Sequence, residues 1–102
     1  MLRIAIVGTG NISHSHIQGY QEFADRCQIV ALVDIYPEKA QEKKVRYGLT
    51  HATVFSSHQA LLASGLEVDI VDVCTPPYVH AEISIDALNA GKNVLCEKPM
   101  AA

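Results

Sequence analysis

Short runs of aliphatic and β-branched residues alternate along the whole chain with segments of helical spacing, and every connection between them is short. The first run, Leu2 to Val7, is closed by Gly8 and reads as a strand buried on both faces, the expected centre of a sheet. Ile12, Ile17, Tyr20 and Ala24 then recur at helical intervals up to Asp25, and Ile29 to Val33 form a second apolar run that stops at Asp34. Pro37 opens and Gly48 follows a segment reaching Tyr47, the usual placing of Pro and Gly at helix ends. Thr53 to Phe55 predict a short strand. Ser56 and Gln59 then have the spacing of a capping box before a helix that stops near Gly65. Val68 to Cys74 form a strand that Thr75-Pro76-Pro77 forbids to continue. A helix from Tyr78 to Ala90 is apolar on two sides, through Val79, Ile83 and Ala87 and through Ala81, Ile85 and Leu88. Asn93 to Cys96 make the last strand.

Five strands alternating with four helices through short loops require right-handed crossovers, and therefore a parallel sheet with helices on both faces. The expected fold is a doubly wound α/β domain. In such sheets ligands bind at the carboxyl ends of the strands, so the loops after Val7, Val33, Cys74 and Cys96 are expected to converge on one crevice. The chain has 102 residues, 49% hydrophobic and 19% charged, enough for one core and too ordered a composition for a disordered tail.

A formal charge of −3, with basic residues grouped only at Lys39, Lys43, Lys44 and Arg46, argues against a nucleic-acid partner; a solvated helix face accounts for that group. No apolar run approaches the length of a bilayer span, and no signal-peptide core follows Arg3, so a cytoplasmic protein without a membrane partner is expected. Cys27, Cys74 and Cys96 are odd in number and lack C-x-x-C spacing, as buried free thiols would be. His14 and His16 lie two apart and would point to different faces of a helix, with no Cys or carboxylate beside them in the sequence to complete a metal site.

Chemistry is sought in the loops. Gly8-Thr9-Gly10-Asn11-Ile12-Ser13 is a G-x-G-x-x-S: Gly8 permits the tight turn and Gly10 lets backbone amides approach a pyrophosphate at a helix N-terminus. Ser13, in place of a third glycine, is small enough to keep helix and strand close. Alone, the motif also fits a plain turn. Asp34 follows Gly10 by 24 residues, where a carboxylate accepts hydrogen bonds from both adenosine ribose hydroxyls; the alternative is that it caps the helix starting near Pro37. Neither Ile35 nor Tyr36 offers a cation to a 2′-phosphate, which favours NAD over NADP.

These loops, with Thr75-Pro76-Pro77-Tyr78-Val79-His80 and Glu97-Lys98-Pro99, closely resemble the dinucleotide domain of the glucose-fructose oxidoreductase, inositol dehydrogenase and rhizopine catabolism (Gfo/Idh/MocA) family. Its signatures occur in order: G-x-G-x-I-[AS]-x-x-H from Gly8 to His16, the Asp ending the second strand, T-P-x-x-x-H from Thr75 to His80, and E-K-P from Glu97 to Pro99. The resemblance runs from Leu2 to Ala101. It implies a Rossmann fold with Gly8, Gly10, Asn11 and Ile12 at the pyrophosphate and Asp34 at the ribose, Thr9 and Ile35 standing beside them among the coenzyme-binding residues. Thr75 and Pro76 would line the crevice, with His80 near it, although a packing role suits His80 equally. Glu97 and Lys98 would lie beside the nicotinamide ribose and the substrate, with Lys98 the catalytic candidate.

The resemblance further implies hydride transfer between NAD and a sugar, cyclitol or related carbinol. A homo-oligomer is expected as well, because an unpaired apolar edge along Asn93 to Cys96 would invite pairing with another copy. Family members are several times longer and carry a second domain that closes over the nicotinamide. The chain is therefore expected to be one domain of a longer dehydrogenase, the alternative being a free-standing dinucleotide sensor.

Overall fold

A computed structural model of the chain describes residues 1–75 and 77–96, apart from the side chains of Asn11, Ile12, Pro77, Tyr78, His80 and Cys96. The elements follow in the order β1 (Leu2–Val7), α1 (Asn11–Gln21), β2 (Cys27–Val33), α2 (Pro37–Arg46), β3 (Thr53–Phe55), α3 (His58–Ala63), β4 (Ile70–Val73), α4 (Pro77–Asn89) and β5 (Asn93–Cys96). All pair in parallel, in the order β3-β2-β1-β4-β5. The expected fold is what forms. β1 lies at the centre with β2 and β4 on either side, and its register with β2 shifts between Ile4 and Ala5.

Alternation along the strands divides the core in two. Ala5, Val7, Ala31, Val33, Val71 and Val73 pack with Leu61, Ile83 and Ala87 under α3 and α4. Ile4, Ile6, Ile29 and Leu32 pack with Ile17 and Ala40 under α1 and α2. Of the two apolar sides expected on α4, only one is buried: Ile83 and Ala87 meet the sheet, while Ile85 and Leu88 stay more than half exposed.

Local boundaries differ from expectation where long-range pairing intervenes. α1 ends at Gln21 rather than near Asp25, because the Arg26 carbonyl must accept from the Leu2 amide as β2 is laid beside β1, and the chain turns at Phe23 to achieve this. The helix after β3 is capped by Ser57 and not by Ser56: Ser57 is extended, and its hydroxyl accepts from the Ala60 amide at 3.0 Å. β4 pairs only over Ile70–Val73, though the Cys74 amide still donates to the Val7 carbonyl at 2.7 Å.

One polar group sits inside the second half of the core. Asp72 of β4 is fully buried and receives two side chains from α1: the Tyr20 hydroxyl donates to Oδ2 at 2.7 Å, and His16 Nδ1 lies 2.7 Å from the same oxygen. The Cys74 thiol reaches Oδ1 at 3.5 Å. Tertiary structure has thus brought to His16 the carboxylate and thiol that no neighbour in sequence supplies, while His14 points away to Tyr47, on another face of α1. The His16–Asp72 spacing is that of a hydrogen bond. Two ligands of one tetrahedral zinc, with bonds of about 2.0–2.1 Å, stand roughly 3.3 Å apart. The network ties α1 to β4 and compensates a carboxylate that would otherwise be costly to bury.

Burial, and next the bond to Asp72, raise the Tyr20 phenol well above its ordinary value of 10.0. The folded state therefore requires the neutral phenol, so this contribution to stability is complete below pH 10 and is lost as pH rises above it. Urea unfolding of Tyr20→Phe should show a cost of about 1–3 kcal/mol at neutral pH and a flatter decline on the alkaline side. An unchanged midpoint at both pH values would contradict this role.

Candidate functional site

The carboxyl ends of β1, β2 and β4 meet so closely that only glycine fits between them. Gly8 has φ +93°, and a Cβ there would stand 2.9 Å from Thr75 Cγ2 and 3.0 Å from the Cys74 carbonyl. Its amide donates to the Val33 carbonyl at 2.7 Å. The loops after Val7, Val33 and Cys74 consequently share one crevice of about 600 Å³, floored by Gly8, Thr9 and Gly10 and bounded by Asp34, Ile35, Tyr36 and Thr75. α3 and α4 close it with Ser57, His58, Val79 and Glu82, and His58 is held there by a bond to Asp86 at 2.7 Å. Convergence of these three loops was expected, together with that of a fourth, after Cys96, which lies outside the described residues. His58 and Glu82 were not, because nothing near them in the sequence marks them as crevice residues.

Gly10 is a different case from Gly8. Its backbone is ordinary, with φ −78°, and among the described residues, its two chain neighbours aside, a Cβ would meet no atom within 4 Å. Nothing in the fold demands glycine there, and the position lines the crevice, so the free space suits a group approaching from the open side. Gly10 is also the N-cap of α1, which has no side-chain cap and no acidic residue in its first turn. The positive end of the helix dipole is left available to an anion. Ser13, fully buried, donates its hydroxyl to the Gly10 carbonyl at 2.6 Å and so tightens the turn.

Asp34 stands at the end of β2 with both carboxylate oxygens engaged. Oδ2 accepts the Thr9 hydroxyl at 2.7 Å and the Thr9 amide at 2.9 Å, while Oδ1 accepts the Tyr36 amide at 2.9 Å. Partial burial opposes ionisation of this carboxyl. The bonds from Tyr36 and Thr9, together with the nearby Lys39 charge, outweigh it and hold the carboxyl below the ordinary carboxylate value. Asp34 therefore does serve the turn into α2, yet the N-cap of that helix is Tyr36, which makes no side-chain cap bond. Lys39 is exposed, as a solvated helix face requires, and it also lines the crevice, with its ammonium 5.0 Å from the Tyr36 ring centre. Lys43, Lys44 and Arg46 do lie in the last turn of α2, where they favour its dipole.

Of the remaining candidates, Ile35 is exposed at the crevice edge and Thr75 lies at its floor against Gly8. Asn11 and Ile12 are in the first turn of α1 and His80 in α4, but their side chains, with all of Pro76, Glu97, Lys98 and Pro99, lie outside the described residues. No helix among the described residues is long and apolar enough to cross a membrane.

A parallel sheet of this order, with a glycine turn at the N-terminus of its first helix and an acidic residue ending the second strand, defines a dinucleotide-binding Rossmann domain. Residues 2–102 match the Gfo/Idh/MocA family, described as an oxidoreductase family with an NAD-binding Rossmann fold, and the chain belongs to it. It is 37% identical to 4-carboxy-2-hydroxymuconate-6-semialdehyde dehydrogenase of Sphingobium over 98% of this chain and 30% of that protein. Identity to D-glucoside 3-dehydrogenase of Escherichia coli is 36%, over 98% of this chain and 28% of that protein. Among solved structures, the WlbA dehydrogenase of Bordetella pertussis, in complex with NADH and UDP-GlcNAcA, superposes with a TM-score of 0.87 at 36% identity, covering 98% and 30% of the two chains. The myo-inositol dehydrogenase of Lactobacillus casei, in complex with NAD(H) and myo-inositol, gives 0.88 at 27% identity, covering 99% and 29%. The chain thus spans less than a third of the length of these relatives.

The two glycines should separate folding from binding. Gly8→Ala places a methyl against Thr75 and Cys74 at positive φ and should lower the thermal midpoint by several degrees, an effect of about 1–3 kcal/mol. Gly10→Ala should leave that midpoint almost unchanged while weakening NADH binding at least ten-fold by titration. Equal effects of the two on stability would refute the distinction.

Proposed function

We propose that this chain binds NAD along the strand-end crevice, as the coenzyme half of a dehydrogenase that moves a hydride between the nicotinamide and the carbinol carbon of a sugar, cyclitol or related compound. The observation that carries the reading is the ionised Asp34, held by three hydrogen bonds beside a glycine turn whose helix end is open to an anion. In this reading Gly8, Thr9, Gly10, Asn11 and Ile12 form the pyrophosphate turn. Asp34 takes the adenosine ribose, with Ile35 beside it. Thr75, Pro76 and His80 form the wall toward the nicotinamide.

Bound nicotinamide supplies the hydride acceptor or donor. The chain's own residues bind it, orient it and exclude water from one side. Lys98, with Glu97 beside it, is proposed to hold the reacting hydroxyl and share its proton, so Lys98→Met in the complete enzyme should lower kcat by about 10²–10⁴ with NADH affinity kept. The range of relatives, from an inositol dehydrogenase to a semialdehyde dehydrogenase, supports a hydroxyl or carbonyl substrate class. The proposal includes a homo-oligomer in the cytoplasm, where a thiol such as that of Cys27 would stay reduced.

Preference for NAD over NADP follows from placing a 2′-phosphate against the Asp34 carboxylate. Lys39, in the first turn of α2, offsets part of that repulsion. Paired titrations should show NADH bound at least ten-fold more tightly than NADPH, and Asp34→Ala should bring the two affinities together. Equal affinities for the unmodified chain would overturn the reading.

A further inference from the structure

The Asp34 carboxylate is already largely committed before any ligand is considered. An ionised carboxylate offers about four acceptor positions, two on each oxygen. Thr9 occupies both on Oδ2, with its hydroxyl at 2.7 Å and its amide at 2.9 Å, and the Tyr36 amide occupies one on Oδ1. One position on Oδ1 is left for a ribose hydroxyl, rather than a pair of equivalent oxygens. Thr9 itself is only 2% exposed, and its backbone is fixed by the Gly8 contact, so it has little freedom to follow a moving partner. Lys39 acts on the same carboxylate from the first turn of α2, through space and without a direct ion pair.

We propose that Thr9 is a positioning residue for coenzyme recognition: its hydroxyl and amide together hold Asp34 in the orientation that presents Oδ1 to a ribose hydroxyl and keep the carboxylate from turning away from it. Thr9 then acts through Asp34, and its buried hydroxyl need not touch the coenzyme. Two consequences follow. Without the hydroxyl, Oδ2 keeps only the amide, and the carboxylate gains orientations that remove it from the ribose. A carboxylate turned from the ribose also repels a 2′-phosphate less, so affinity and selectivity for NAD fall together. The inference rests on the NAD-binding reading above and adds to it the residue that sets selectivity from behind the first contact.

The test is titration of NADH and NADPH against the unmodified chain, Thr9→Val and Thr9→Ser across the acid to neutral range. It is paired with an NMR titration of the Asp34 carboxyl in the absence of coenzyme. Thr9→Val should bind NADH about three- to ten-fold more weakly, the change expected for one lost charge-assisted hydrogen bond. NADPH affinity should change less, and both the acid limb of NADH binding and the Asp34 titration should move up toward the ordinary carboxylate value. Thr9→Ser, which keeps the hydroxyl, should restore all of these. Should Thr9→Val fail to fold, Thr9→Ala deletes the same hydroxyl without the added methyl. Normal NADH affinity with an unmoved Asp34 titration in the hydroxyl-deleted variant, or a Thr9→Ser variant as defective as Thr9→Val, would overturn this inference alone. An unmodified chain without NADH affinity would overturn the coenzyme reading and this inference together.

Discussion

Everything at the crevice depends on the approach of three strand ends around Gly8. The absence of a side chain there lets the Gly8 amide reach Val33 while Thr75 and the Cys74 carbonyl close in from the other side. A larger residue would have to separate β1 from β4 or abandon the positive φ that turns the chain toward α1. With Gly8 in place, Thr9 is buried in the turn after β1 and meets Asp34 with two donors. The geometry of the carboxylate thus originates in a backbone packing constraint, and the bonds which that constraint aligns outweigh the effect of its partial burial on ionisation.

The opposite requirement, holding α1 at the right height on the sheet, is met in the core. Ile17 supplies apolar contact, but α1 carries few large hydrophobic residues, and Tyr20 and His16 extend its grip by bonding to Asp72 inside the sheet. Apolar contact alone would allow a helix to slide along its axis. Directional bonds to one buried carboxylate do not, and a one-residue slip would leave that carboxylate buried without its donors. The N-terminus of α1, which faces the crevice at Gly10, is thereby held in register with the β4 end that carries Thr75. The buried polar network and the anion-accepting turn are two ends of the same helix and serve one placement.

Much of this was legible in the residues. The alternation of strand and helix periods determined the parallel sheet and its central strand, because connections this short leave few other ways to bury both faces of runs such as Ile4 to Val7 and Ile29 to Val33. The spacing from Gly10 to Asp34 marked the two ends of the crevice, since a strand-helix-strand unit returns the chain to the same edge of the sheet. Boundaries were less legible. The end of α1 and the choice of Ser57 over Ser56 as a cap are decided by where β1 and β3 require the backbone to pair, and local preference is nearly the same for either choice.

What the sequence by itself determined was therefore the fold, the family and the placing of the glycine turn and the acidic strand end, all of which rest on periodicity and on residues near one another in the chain. Tertiary structure alone decided how the side chains spend their hydrogen bonds. His16 and Asp72 are 56 positions apart, and Thr9 and Asp34 are 25 apart. His58 and Glu82 joined the crevice wall, and Lys39, still exposed, came to its edge, for the same reason. No local pattern encodes which lone pair a distant donor will reach, because that depends on strand order and on sub-ångström packing between elements that meet only after the sheet has formed.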